Sequence, residues 1–145
     1  MPGETEALAQ FASSLKYEDI PERVREHVKN VLLDTLACAL AGHQGEETDQ
    51  VSALARQMAD SRETSVLGGD KLSLAGAVLL NGYLVTAVTV CDVHRPTLYH
   101  TTPQVIPTAL AIAERDGASG RALLTAITAG LETSVRVANG THYSA

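Results

Sequence analysis

The stretch DIPERVREHVKNVLLDTLACALAG, Asp19 to Gly42, decides the fold. Asp19 followed by Glu22, with Pro21 in the first turn, is a helix-start signature resembling a capping box. Ile20, Val24, Val28, Leu32, Leu36 and Leu40 then share one stripe, and Gly42 supplies the stop. The second half, VLLDTLACALAG, is apolar on almost all sides. That pattern predicts a helix running into the middle of the protein.

Helical periodicity extends outward from this segment in both directions. Thr48 is placed to cap a short helix whose Val51, Leu54, Ala55 and Met58 share a face. TSVLGGD, Thr64 to Asp70, reads as a β-like fragment with a Gly-Gly turn, too little for a sheet. Gly68-Gly69 lacks the spacing and the lysine–hydroxyl pair of a phosphate loop. Ser73 opens an apolar helix over Leu74–Val90, where Gly76 lies between two alanines and admits a close neighbour. Pro103 suits the first turn of the next helix; Pro107 either kinks it or marks its true start, and Gly117 ends it. Ser119 caps the last helix, where Leu124, Ile127, Leu131, Val135 and Ala138 form a stripe and Glu132 and Arg136 an i,i+4 pair. With no repeats and no obvious linker, the expectation is an all-α fold. It is a single helical domain over 1–145, a bundle of about six helices with short loops.

The composition agrees with a packed core. Hydrophobic residues are 45% of the 145 and charged residues 19%, so a packed core and not disorder is the expectation. Aromatic residues are only 3%, so close packing of small side chains has to replace large ones. A net charge of −6 without a basic patch gives no support to nucleic-acid binding. The N-terminus lacks a charged segment followed by an apolar core, so no signal peptide is expected. The longest apolar run, Leu74 to Val90, falls short of the ~20 residues a membrane span needs. Cys38 and Cys91 form no CxxC motif and are expected to be buried free thiols, which suits a cytoplasmic location.

Chemistry concentrates in CDVHRPTLYHTTPQVIP, Cys91 to Pro107. His94 and His100 are six apart with Pro96 between them, so one helix face cannot present both to a metal, and no HExxH is present. No serine sits in a GxSxG elbow. Acid–base chemistry fits better: a histidine held on a loop by flanking prolines, beside Thr97, Tyr99, Thr101 and Thr102, can transfer a proton or hold a carboxylate. A structural reading stands beside it, in which His100 and Thr102 only satisfy backbone groups at the start of the next helix. Elsewhere, Asp34 among apolar neighbours is expected to be paired or to cap a helix. His27 and His43 look like surface residues at helix flanks, and His142 belongs to the tail. Arg95 and Arg121 either attract a carboxylate or are solvated.

The segments YEDIPERV, LLDTLACALAG, SVLGGDKLSLAGAVLLNG, HTTPQVIPTALAIAE and GASGRALLTAITAGLETSVR occur in this order between Leu8 and Arg136. In that order the chain resembles the N-terminal part of the MmgE/PrpD family, which includes 2-methylcitrate dehydratase, cis-aconitate decarboxylase and iminodisuccinate epimerase. The resemblance implies a helical domain with a smaller α/β lid, a site in the cleft between them, small polycarboxylate substrates and no cofactor. It implies lyase chemistry, dehydratase or decarboxylase. The alternatives are an epimerase-like isomerase and a non-catalytic helical interaction subunit.

The family's stretch H-A-L-D-[FY]-D-D corresponds to Thr86 through Asp92. Its histidine is here Thr86, its site aspartate Thr89 and its next aspartate Cys91; Asp92 is retained. The family's H-P-S segment corresponds to His100-Thr101-Thr102. By resemblance, His100 and Asp92 are the expected catalytic residues, His100 orienting or protonating the substrate and Asp92 fixing the loop. Thr89, Thr102 and His94 are expected to bind substrate, with no metal. Family chains are several times longer and carry a further site histidine in an R-G-[FW]-H setting, whereas this sequence ends at NGTHYSA. The expectation is a site completed by further chain or by a complementary subunit. Self-association is the default partner expectation, since the helices at Val31–Ala41 and Leu74–Val90 are apolar nearly all round.

Overall fold

A computed structural model describes residues 3–141; the expectation for His142 lies outside the described residues. The helix read from Asp19–Gly42 runs as α2, Glu22–Gly42, after α1, Glu4–Ser14. It is followed by α3 (Thr48–Gln57), a hairpin of β1 (Thr64–Ser65) and β2 (Lys71–Leu72), α4 (Leu74–Thr86), α5 (Thr102–Asp116) and α6 (Gly120–Thr141). The fold is all-α, with one small antiparallel ladder among the described residues.

α2 serves two cores. Its N-terminal half gives Val28 to a cluster with Ile106 of α5 and Ile127 of α6. Its C-terminal half gives Cys38 and Ala39 to a second cluster with Ala55, Val66, Leu72, Ala77, Leu80, Leu84 and Val85. The buried face therefore drifts along the helix. Val28 is buried as the stripe requires, but further on the buried residues are Thr35, Cys38, Ala39 and Gly42. Leu40, expected in the core, is 57% exposed, and Leu33 is 67% exposed. The reason is steric. A Cβ on Gly42 would overlap the carbonyl of Leu84, so α4 lies directly on the α2 backbone there. Only the small-residue face admits that approach, and the bulky leucines turn away from it.

The same device recurs where α3 meets α4: a Cβ on Gly76 would stand 2.5 Å from the Ala55 carbonyl oxygen. Helix ends partly follow the sequence reading. Ser73 Oγ accepts from Gly76 N at 3.2 Å and Ser119 Oγ from Ala122 N at 3.2 Å. Gly117 stops α5 at φ 60°. Pro107 lies within α5 and is buried, so it does not mark the start.

Two caps differ. Asp19 accepts from the backbone of Lys16 at 3.1 Å and closes a separate 3₁₀ turn, Tyr17–Asp19, leaving Pro21 as the N-cap of α2. Thr48 is the first residue of α3, and its hydroxyl donates back to the Gly42 carbonyl at 2.9 Å. In both places the polar group binds the preceding segment, which lies closer than the helix it was expected to cap.

The TSVLGGD fragment does form a ladder, pairing Thr64 with Leu72 and Ser65 with Lys71. Two residues per strand are held because side chains from the helices replace the missing sheet partners. Buried Asn81 of α4 accepts from Leu67 N at 2.8 Å and donates to the Ser65 carbonyl at 3.0 Å. His43, expected at the surface, is half-buried, with Nε2 2.7 Å from the Leu67 carbonyl. Glu114 of α5 accepts from Ser65 N and Oγ, both at 2.8 Å, and from Lys71 Nζ at 2.7 Å.

α4 ends at Thr86 and not at Val90, and Val90 is exposed. Among the described residues no helix is long and apolar enough to cross a membrane.

Gly42→Ala should lower stability by about 1–3 kcal/mol or more, because the methyl group meets backbone that cannot rotate aside; the midpoint of a urea transition reads this directly. The bond from Lys71, and after it the Ser65 amide, lowers the Glu114 pKa from 4.5 to about 2. A depressed carboxylate stabilises the fold fully above its unfolded value and loses that contribution as pH falls toward 2. Glu114→Gln should thus cost about 0.5–1 kcal/mol at pH 7, discounted for solvent around the pair. Urea midpoints of variant and wild type should converge between pH 4 and pH 2.

Candidate active site

The loop joining α4 to α5 is built around one carboxylate. Asp92 Oδ2 accepts from Thr101 Oγ1 at 3.1 Å. Its Oδ1 accepts from the hydroxyl of Thr102 and from the Thr102 backbone N–H at 3.4 Å. Thr101 and Thr102 are both buried, so these bonds satisfy hydroxyls that have no access to water. The Thr102 N–H is one of the free donors at the N-terminus of α5, so Asp92 caps that helix from ten residues upstream.

Thr102 spends its hydroxyl on Asp92 and not on the backbone of its own helix. Both Asp92 oxygens are occupied, which makes it a group that fixes the loop more than one free to take a proton.

His100 is exposed, and its Nδ1 lies 3.4 Å from Cys91 Sγ. Its Nε2 has no hydrogen-bond partner among the described residues. His94 is tied into a small hairpin of its own. Its backbone pairs with Tyr99, N to O at 2.8 Å, and its Nδ1 lies 2.8 Å from Thr97 Oγ1. Leu98 crowns that hairpin at φ 52° and is 77% exposed.

Asp92, His94 and Thr101 face a cleft of about 420 Å³ with an apolar floor from α2 and α6, including Val28 and Leu131. His27 and Glu132 stand on its rim. His27 is exposed as expected, yet it faces the site across the cleft, and the helical stripe of α2 alone did not reveal this. Glu132 is held by Arg136 at 2.5 Å, the i,i+4 pair the spacing predicted.

Thr89 is apart from this group. It is exposed, has no side-chain hydrogen bond among the described residues, and sits at φ 53°. That left-handed conformation is costly for a β-branched residue, and its backbone N–H closes a turn on the Thr86 carbonyl at 2.9 Å. Thr89 thus reverses the chain two residues beyond the Ala87 C-cap of α4.

Cys91, expected to be buried, is half-buried, while Cys38 is buried; both are free thiols. Burial first, and then the charge of Asp92, push the Cys91 thiol pKa up. Cys38 is pushed up too, by burial and then by Asp34. Asp34 itself is exposed on α2, with the Cys38 thiol at 4.0 Å as its contact, and caps nothing. Arg121 is exposed, lies over the Tyr17 ring at 5.0 Å and pairs with Glu18 at 3.6 Å, away from the cleft. Among the described residues no three His, Cys, Asp or Glu side chains gather as metal ligands do.

Residues 6–145 match the MmgE/PrpD N-terminal domain. The chain belongs to the MmgE/PrpD family. It is 30% identical over 141 residues to a cis-aconitate decarboxylase-like protein of Aspergillus oryzae, covering 92% of this chain and 29% of the relative. It is 28% identical over 113 residues to cis-aconitate decarboxylase of Aspergillus terreus, covering 77% of this chain and 23% of the relative. This MmgE/PrpD chain thus spans less than a third of the length of the curated relatives it matches. No solved structure gives a significant match.

Asp92→Ala should strand two buried hydroxyls and uncap α5, at a cost of about 2–3 kcal/mol. Asp92→Asn keeps one acceptor and should cost about half as much. Chemical denaturation of the three proteins side by side provides the comparison.

Proposed function

We propose that this chain supplies the helical wall of a lyase site acting on a small polycarboxylate, and that further polypeptide or a partner subunit completes the site. Family membership and the likeness to cis-aconitate decarboxylases support lyase chemistry. Of the two lyase types, decarboxylation is favoured over dehydration of a compound such as 2-methylcitrate. The observation that carries the reading is local: His100 offers an unpartnered Nε2 beside a loop that Asp92, Thr101 and Thr102 hold in one shape.

Decarboxylation of an unsaturated tricarboxylate requires loss of CO2 and delivery of a proton to carbon. A fixed imidazole can orient a carboxylate or deliver that proton. Asp92 acts here through the loop, as a positioning residue. Thr102 holds Asp92, His94 shares the cleft with it, and Thr89 can meet a substrate only from the exposed side.

Among the described residues the site offers imidazole nitrogens without partners at His100 and His94, and at His27 on the rim, but few positive groups, whereas a tricarboxylate carries several negative charges. The cations that would neutralise them are assigned to the completing polypeptide. Exposed Leu33, Leu40, Val90 and Leu98 are apolar surface available to the same polypeptide or to a second copy. They also favour the second reading, an interaction subunit without turnover.

The purified 145-residue chain should release no measurable CO2 from cis-aconitate and should leave 2-methylcitrate intact, since losing several acid–base and binding groups together removes most of the rate. A form carrying the remaining family segments, fused or co-expressed, should release CO2 and lose that activity in His100→Ala. Turnover by the short chain alone would refute the incomplete site. A completed form inert toward both acids would refute the lyase reading and leave the interaction subunit.

A further inference from the structure

We infer that Cys91 is a positioning residue for His100: its sulfhydryl donates to Nδ1 and so fixes the neutral imidazole with its proton on Nε2, a hydrogen-bond donor aimed away from the sulfur. The inference rests on the lyase reading only for what the donor is for. The geometry stands without it.

Cys91 is the last residue before Asp92 in the loop and packs against the core cluster beneath α4, so its sulfur is anchored on one side. On the other side it meets His100 Nδ1 at 3.4 Å, within the range of a bond to sulfur. Such a contact has two directions. A thiolate would accept a proton from Nδ1, leaving Nε2 as the acceptor and base. A thiol would donate to Nδ1, leaving the proton on Nε2. Burial and the neighbouring Asp92 carboxylate both disfavour the thiolate. The sulfur keeps its hydrogen at neutral pH, and a neutral thiol accepts far more poorly than an imidazole nitrogen does, so at 3.4 Å the sulfhydryl donates and Nδ1 accepts.

The consequence is chemical. A carboxylate approaching His100 meets N–H and not a lone pair, so His100 is set up to bind an anion or to give a proton. Thr101 and Thr102 cannot impose this themselves, because their hydroxyls are committed to Asp92. An acidic side chain in place of Cys91 would reverse the polarity by accepting from Nδ1–H.

Long-range proton–nitrogen correlation spectra of the labelled chain read the tautomer without any substrate. Wild type should show a protonated Nε2 and a bare Nδ1 at His100. Cys91→Ser, which keeps a donor, should preserve that pattern, Cys91→Ala should give a mixture of tautomers, and Cys91→Asp should shift the proton to Nδ1. A wild-type ring protonated mainly at Nδ1, or identical spectra for the alanine and serine variants, would overturn the proposal. A wild-type ring protonated at Nδ1 overturns the proposal even if a variant fails to fold, and the contrast between Cys91→Ser and Cys91→Ala carries the support, because a free neutral imidazole already favours the proton on Nε2.

Titration of the completed form, fused or co-expressed, with tricarballylate, a saturated tricarboxylate, then separates the two claims. If the ring divides evenly between tautomers in Cys91→Ala, its apparent affinity should fall about twofold, the competent fraction having halved. A protonated Nε2 that does not respond to tricarballylate would leave the tautomer assignment standing and count against the lyase reading alone.

Discussion

The closest constraint in the molecule is the crossing of α2 and α4 at Gly42, where backbone meets backbone with no side chain between. A chain with so few aromatic residues cannot fill wide gaps between helices with rings. It closes the gaps instead, and closing them fixes helix positions more tightly than large side chains would. Gly76 against Ala55 repeats the arrangement one helix further on. With α4 clamped at both places, the point where it ends is determined, and so is the direction in which the following loop leaves.

The loop depends on that exit. Thr89 turns the chain in a left-handed conformation, and Asp92 arrives over the first turn of α5, where two buried hydroxyls and a free amide wait for an acceptor. One carboxylate thereby links the end of α4, the start of α5 and the rim of the cleft. His100, eight residues beyond Asp92, returns to contact Cys91, one residue before it. The site is thus a closed loop of contacts whose ends are both fixed to the core.

Much of this was legible in the sequence, and the exceptions share a cause. Periodicity located α2, α5 and α6, and local chemistry located the caps at Ser73 and Ser119, because those signals lie within a few residues of what they govern. It misplaced Leu40, since a stripe of large apolar residues says nothing about which face a neighbour can approach; the small residues Cys38, Ala39 and Gly42 decided that. It missed the two-residue ladder because its support, Asn81 and Glu114, comes from helices distant in sequence. In the site, the residues expected from family resemblance were placed by contacts across a loop, nine and ten residues apart, that no helical spacing rule encodes. Asp92, Thr101 and Thr102 meet; Thr89 stands apart; and Cys91, which carried no expected role, proves to be the partner of His100.

The position of Cys91 bears on how a helical scaffold can change the chemistry of a site while keeping its shape. The shape here is held by Asp92 and two threonines, and the proton on His100 by a different residue. Substituting the sulfur therefore alters which nitrogen faces an incoming carboxylate without loosening the cap on α5. Separate control of geometry and of proton position lets His100 be set either to take a proton or to give one without a change of fold. The side chain at a single half-buried position then selects between them, because at 3.4 Å the imidazole has to match whichever partner, donor or acceptor, the core presents to it.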